Sequence, residues 1–255
     1  MSLRPRVIPC LLIERGRLVK TVRFGAPKYV GDPINAVRIF NEKEVDELVL
    51  LDISATRDRR GIDFDLLGQI VSEGFMPIAY GGGVSSLEDA ARLFHLGVEK
   101  VVFNSAAVAS PDLVKSASER FGAQSVVVAV DVKRGLFGAN AVYVECGRKK
   151  ARVGLAEHLL AMQEAGAGEI IVNSIDRDGT QAGYDLELLK QAVSKVSVPV
   201  VALGGAGSLV DLKAAQTQAG VSAMAAGSLF VFHGPNRAVL IQYPGYKKLD
   251  ELFSR

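Results

Sequence analysis

Eight short runs of aliphatic and β-branched residues recur along the chain, each followed by a stretch able to form a helix. They span Val7 to Leu12, Leu48 to Ile53, Met76 to Tyr80, Lys100 to Asn104, Val126 to Asp131, Glu169 to Ser174, Pro199 to Leu203 and Ala223 to Ala226. Strands that are mostly apolar rather than alternating must be covered on both faces, and intervening helices supply that cover when the strands run parallel. Eight such units predict an α/β fold, a (βα)8 TIM barrel, as a single domain over residues 1–255. Asp32-Pro33 and Ser110-Pro111 mark helix starts, and Ser85-x-x-Glu88 fits a capping box. The polar stretches Glu14 to Phe24 and Lys133 to Arg148 interrupt the alternation after the first and fifth strands and read as inserted hairpins.

The two insertions occupy equivalent places because the chain repeats itself. Gly81-Gly82-Gly83 matches Gly204-Gly205-Ala206, and Ser105 matches Ser228, both at an offset of 123 residues; Asp52 matches Asp176 at 124. Three ordered matches, each just past an expected strand, favour duplication of a half-barrel, with halves near 1–122 and 123–255. The same scheme pairs Leu12 with Asp131. An aspartate ending the fifth strand therefore has a leucine as its counterpart in the first.

Net charge is +2 with opposite signs interspersed, so no field favours nucleic acid or a membrane surface, and neither is expected as a partner. Cys10 and Cys146 lack the spacing of a zinc site or disulfide framework, which fits a reducing cytoplasm. No apolar run approaches the roughly 18 residues of a membrane span, and no secretory leader is evident. His95, His158 and His233 end no expected strand and share no ligand spacing, so no metal or cofactor is expected.

In such barrels chemistry sits at the carboxyl ends of the strands. Gly82-Gly83 with Asn104-Ser105, and Gly204-Gly205-Ala206-Gly207 with Gly227-Ser228, form two candidate phosphate cradles, because glycine lets backbone N–H groups approach an anion. The plainer role of these glycines is a tight βα turn needing positive φ. Two cradles facing across one mouth suit a ligand with a phosphate at each end. Between them fall the acid–base candidates Asp131, Asp52 and Asp176, with Lys133, Asn173, Ser174, Asp178, Gly179 and Thr180 near by. Lys20, in the first hairpin, either folds over the mouth to meet a phosphate or substrate oxygen or is an ordinary solvated lysine.

Over nearly its whole length the chain resembles the cyclase subunit of imidazole glycerol phosphate synthase, the ammonia-using barrel of histidine biosynthesis. The resemblance rests on Ile8-Pro9-Cys10-Leu11, Leu51-Asp52-Ile53, Gly81-Gly82-Gly83, Asn104-Ser105-Ala106-Ala107-Val108, Asp131-x-Lys133-Arg134, Gly166-Ala167-Gly168-Glu169-Ile170, the Ser174 to Thr180 run and Gly204-Gly205-Ala206-Gly207. It implies a glutaminase subunit as heterodimer partner and a bisphosphorylated ribulosyl substrate. It also implies an aspartate ending the first strand of each half, the two acting as acid and base in cyclisation. Here only Asp131 matches, since position 12 is leucine and the nearest acid, Glu14, lies in the hairpin.

Arg6, Glu47, Lys100 and Glu169 each open an expected strand and alternate in sign. Composition alone makes them strand-leading charges exposed to water; the resemblance makes them the salt-bridged gate through which ammonia enters. An intact gate beside a damaged cyclase centre is similar to a divergent branch of the family associated with sugar amidation in O-antigen and lipopolysaccharide clusters. That likeness implies a separate sugar amidotransferase as a further partner and a bisphosphorylated or nucleotide-sugar ligand. A histidine-pathway cyclase and a non-catalytic regulator of the glutaminase are the alternatives.

Overall fold

The computed structural model describes residues 4–135 and 138–254; Leu136 and Phe137, inside the expected second hairpin, lie outside the described residues. Eight strands, β1 (Arg6–Glu14), β2 (Leu48–Asp52), β3 (Ile78–Gly81), β4 (Lys100–Phe103), β5 (Val126–Arg134), β6 (Glu169–Ser174), β7 (Val200–Leu203) and β8 (Ala223–Ala226), follow one another around a closed parallel barrel. Each pairs with the next and β8 returns to β1, with helices on the connections. The TIM barrel expected from the alternation is the fold. The third strand begins later than expected, at Ile78 rather than Met76, and runs to Gly81.

The expected hairpins extend the barrel strands rather than interrupt them. Arg15 and Gly16 take positive φ (49° and 77°), the two-residue turn whose twist suits a hairpin, and Arg17–Lys20 runs back antiparallel along β1. A further strand, Lys28–Gly31, adds to it. On the other side Asn140–Val144 pairs with β5 and Lys149–Gly154 with Asn140–Val144. Asp32 caps the helix Pro33–Glu42 by accepting from the Asn35 N–H. The cap expected at Ser85 lies one residue on: Ser86 accepts from the Asp89 N–H, while the Asp89 carboxylate takes the amide and hydroxyl of Ser85.

Side chains alternate across each strand, and the alternation sorts the barrel into layers. Val7, Leu11 and Ile13 of β1, and Val126, Val128, Val130 and Val132 of β5, pack outward in the large core under the helices. Ile8, Cys10, Val49, Ala79, Val102, Val127, Ala129 and Ile171 form a separate core inside the barrel, with Leu12 and Leu51 packed against it. Counting by twos from these inward residues places Arg6, Glu47, Lys100 and Glu169 at the amino-terminal end of the interior. The same count places Leu12, Leu51, Asn104, Asp131 and Asn173 at the carboxyl-terminal end.

Strand register corrects part of the repeat. Leu51 lies opposite Gly81, and Asn173 opposite Leu203. The true glycine counterparts are therefore Gly82-Gly83 and Gly204-Gly205, all with positive φ (110°, 78°, 89° and 116°), one residue out of step with the Gly81–Gly204 match. Ile13 pairs with Asp52 and Val132 with Ser174, so the strand-end counterpart of Asp52 is Ser174, and Asp176 lies beyond it. Leu12 and Asp131 keep their equivalence: Leu12 is opposite Leu51, and Asp131 is opposite Asn173.

Candidate functional site

The carboxyl ends of the strands surround a cavity of about 990 Å³. Around the end of β5 it is polar. Asn104 Nδ2 donates to Ala129 O at 2.9 Å and to Asp131 Oδ2 at 3.1 Å, while Asn173 Nδ2 donates to Asp131 Oδ1 at 3.0 Å. Burial pushes the Asp131 carboxyl up to about 7, against the two asparagine hydrogen bonds that favour its charged form; the nearby Asp178 adds to the rise. A carboxyl poised there can give or take a proton at neutral pH.

The corresponding strand-end pair of the first half is apolar. Leu12 and Leu51 hold the register positions that Asp131 and Asn173 hold opposite, so a hydrogen-bonded acid has been replaced by a pair of leucines.

Lys20 enters the same cavity from the first hairpin and is 5% exposed, which overturns the solvated alternative. Its Nζ donates to Cys10 O at 2.6 Å. Burial lowers its pKa, opposed by Cys10 and Asp178. Asp178 accepts from Thr21 Oγ1 at 2.9 Å and from the Phe24 N–H at 3.4 Å, and burial raises its pKa against those contacts and Lys20.

The remaining expected residues divide. Asp52 lines the cavity, but its Oδ1 accepts from Ser54 N–H and Oγ, both at 2.8 Å, and from the Ala55 N–H at 3.0 Å; Oδ2 pairs with Arg60. Asp176 does not reach the cavity and instead accepts from the Arg134 N–H at 2.8 Å. Of the first glycine pair, the Gly83 N–H donates to Thr56 Oγ1 at 3.2 Å, and Ser105 Oγ donates to Asn104 Oδ1 and accepts from the Glu145 N–H at 3.0 Å. Gly204, Gly205, Gly227 and Ser228 line the opposite wall with Gly179 near the first hairpin. Among the described residues the Ser228 hydroxyl has no hydrogen-bond partner.

Residues that no strand-end argument could find also line the mouth: Phe24, Arg57, Arg59, Cys146 and Arg148. Cys146 Sγ donates to Ile53 O at 3.1 Å across 93 residues of sequence, a contact with no local signature. Leu51 was legible, as the residue two beyond Val49 on the inward face. Among the described residues no three histidine, cysteine or acidic side chains group to hold a metal ion.

At the other end of the interior, Arg6 pairs with both Glu47 and Glu169, and Lys100 Nζ lies 2.9 Å from Glu47 and 3.0 Å from Glu169. Glu47 is 3% exposed and Glu169 6%. The charges form a closed ring across the barrel floor, which corrects the picture of strand-leading charges standing in water. No helix among the described residues is long and apolar enough to cross a membrane.

The model of a family described as histidine biosynthesis protein matches residues 6–235. A protein of Pseudomonas aeruginosa with the provisional name of an imidazole glycerol phosphate synthase subunit is 53% identical over 247 residues, covering 97% of this chain and 98% of the relative. A similarly named protein of Leptospira interrogans is 48% identical over 252 residues, 98% and 99% of the two chains. The imidazole glycerol phosphate synthase subunit of Alkaliphilus metalliredigens is 41% identical over 228 residues, 89% and 90% of the two. With both the barrel and this breadth of similarity in place, the chain belongs to the histidine biosynthesis protein family.

Proposed function

We propose that this chain is the synthase-type subunit of a cytoplasmic glutamine amidotransferase pair, receiving ammonia from a glutaminase bound as a heterodimer. Its acceptor in this reading is not the histidine-pathway intermediate but a surface-polysaccharide sugar, handled with a separate sugar amidotransferase. The observation that carries the proposal is Leu12 at the register position of Asp131, with Leu51 beside it. A cyclisation that moves protons on both sides of its substrate loses one of its two acid–base groups, and loss of one positioned group typically costs about 10² to 10⁴ in rate. The ion-pair ring at the opposite end supports retained ammonia entry, because its four side chains occupy the floor of the barrel interior. The glycine pairs on facing walls support a bisphosphorylated or nucleotide-sugar ligand.

A second reading, a working histidine-pathway cyclase, is favoured by the names of the relatives. Complementation of a histidine auxotroph separates the two, together with turnover of the bisphosphorylated ribulosyl intermediate supplied with ammonium salts. We expect no growth and turnover at least about 10²-fold below a cyclase with both carboxylates, with Leu12→Asp recovering part of it. Full complementation by the unaltered chain would reject the sugar-amidation reading.

A further inference from the structure

Lys20 is the buried, charge-capable group that the acid–base reading leaves without a task. Its neighbour Val19 pairs with Leu12, so the lysine belongs to the apolar side of the mouth. Among the described residues Nζ has one hydrogen-bond partner, Cys10 O at 2.6 Å, and no carboxylate forms an ion pair with it. Burying an ammonium without a counter-ion is costly, and the cost is relieved when the group sheds its proton. Gly227 lies against it so closely that a Cβ there would stand 2.2 Å from Nζ and 3.2 Å from Cε. Glycine at position 227 thus provides the gap in which the amine sits. An amine whose pKa burial lowers, held by a single hydrogen bond beside an open cavity, has the requirements of a nucleophile.

We propose that Lys20 forms an imine with a carbonyl-bearing ligand, an aldehyde or ketone of sugar-phosphate size, that enters the mouth. The lone pair of Nζ attacks the carbonyl carbon, and the proton released from nitrogen moves to the carbonyl oxygen, giving a carbinolamine. Asp178, lining the same cavity, gives its proton to that hydroxyl, and water departs as the C=N bond forms. The products are a protonated imine, a carboxylate at Asp178 and one water, so atoms and charge balance without another reactant. Burial raises the Asp178 pKa, which favours the protonated form that this step draws on.

The test is reductive trapping on the full chain at neutral pH, with sodium cyanoborohydride and either glyceraldehyde 3-phosphate or dihydroxyacetone phosphate, followed by peptide mapping. It needs neither a glutaminase nor ammonia, so its outcome is independent of the proposed amidotransferase role. The adduct is expected at Lys20 in marked excess over any other lysine, because burial lowers the pKa of this amine. It should vanish in Lys20→Met and in Lys20→Arg, which keeps the charge but forms no imine. Gly227→Ala, with an unchanged circular dichroism spectrum, should lower labelling at Lys20, because the new Cβ takes the space that Nζ occupies. Labelling spread evenly over surface lysines, or no adduct with either carbonyl compound, overturns the proposal. So does unaltered Lys20 labelling in Gly227→Ala. A chain that gives no adduct but binds inorganic phosphate, and loses that binding in Lys20→Met, uses Lys20 as an anion anchor instead.

Discussion

Replacing Asp131 with asparagine should make the protein more stable at pH 8 and less stable at pH 4. The carboxyl has a folded pKa of about 7 against an ordinary value of 3.8, because burial disfavours its charged form more than Asn104 and Asn173 favour it. A group that holds its proton more tightly when folded contributes its full share of stability below about pH 4. That share is lost as pH rises from there through about 7, where the native state must ionise a buried acid. At 1.36 kcal/mol for each tenfold difference, the gap corresponds to about 4 kcal/mol, a ceiling because one face of the carboxyl looks into the cavity. Asparagine removes this cost, but its own NH₂ then faces one of the two amide donors that Asp131 accepts. That donor–donor conflict costs about 1–3 kcal/mol at every pH. Because the unfolded carboxyl ionises from 3.8 upward, only about 0.5 kcal/mol of this cost has accrued at pH 4, so the net change is a gain of about 1–3 kcal/mol at pH 8 and a loss of about 0.5–2.5 kcal/mol at pH 4. Chemical denaturation followed by far-ultraviolet circular dichroism, run on both proteins at the two pH values, reads the difference directly. A stability difference of the same sign and size at both would refute the argument, since it would mean that Asp131 titrates normally in the folded barrel.

Four further substitutions probe the floor and the walls. Lys100→Met removes an ammonium lying between Glu47 and Glu169, leaves Arg6 alone to balance both, and should cost about 3–5 kcal/mol at pH 7 by denaturation. A loss below about 1 kcal/mol would show that Arg6 alone suffices to hold the two carboxylates. Gly82→Ala places a Cβ 2.2 Å from Asp52 O at a φ of 110°, so it should lower the melting temperature more than Gly83→Ala, whose nearest contact is 3.0 Å. Equal losses would show that the Asp52 carbonyl can yield. Tyr184→Phe leaves the buried Ala225 carbonyl without the hydroxyl now 2.9 Å away, and should cost about 1–3 kcal/mol with no change at the mouth.

The barrel was legible because its strands are apolar on both faces, a pattern that few arrangements other than helix-covered parallel strands can bury. The ends of the interior were legible by counting in twos: Arg6 and Leu12 lie on one side of β1, Glu47 and Leu51 on one side of β2. The same count puts Asp52 with the outward residues Leu48 and Leu50, and its oxygens indeed hold the following loop. Reading aspartates by type rather than by parity paired it with Asp176. The lining contributed by Phe24, Cys146 and Arg148 was hidden for a different reason. These residues sit on hairpin turns that fold back over the mouth, and Gly147 packs so close to Phe24 that a Cβ would lie 2.8 Å from its ring. Such contacts depend on how far each hairpin leans, which strand periodicity does not encode.

The two halves of the mouth make different demands on stability, and the difference bears on function. Leucine at positions 12 and 51 extends the inner apolar core and costs nothing in desolvation. Across from it the fold keeps Asp131 between two asparagines at a cost of up to about 4 kcal/mol above neutral pH. A barrel serving only to conduct ammonia from its floor to its mouth needs no such acid, and an apolar pair like Leu12 and Leu51 on both sides would be the more stable solution. Tolerating a strained titration at one position, and none at its counterpart, is what a reaction with a single carboxyl-dependent proton transfer requires. On this argument the carboxyl suited to proton transfer at the strand ends is Asp131 alone, its counterpart at position 12 being apolar. Lys20, entering from the first hairpin, and Asp178 are the other groups in the cavity whose charge burial has unsettled.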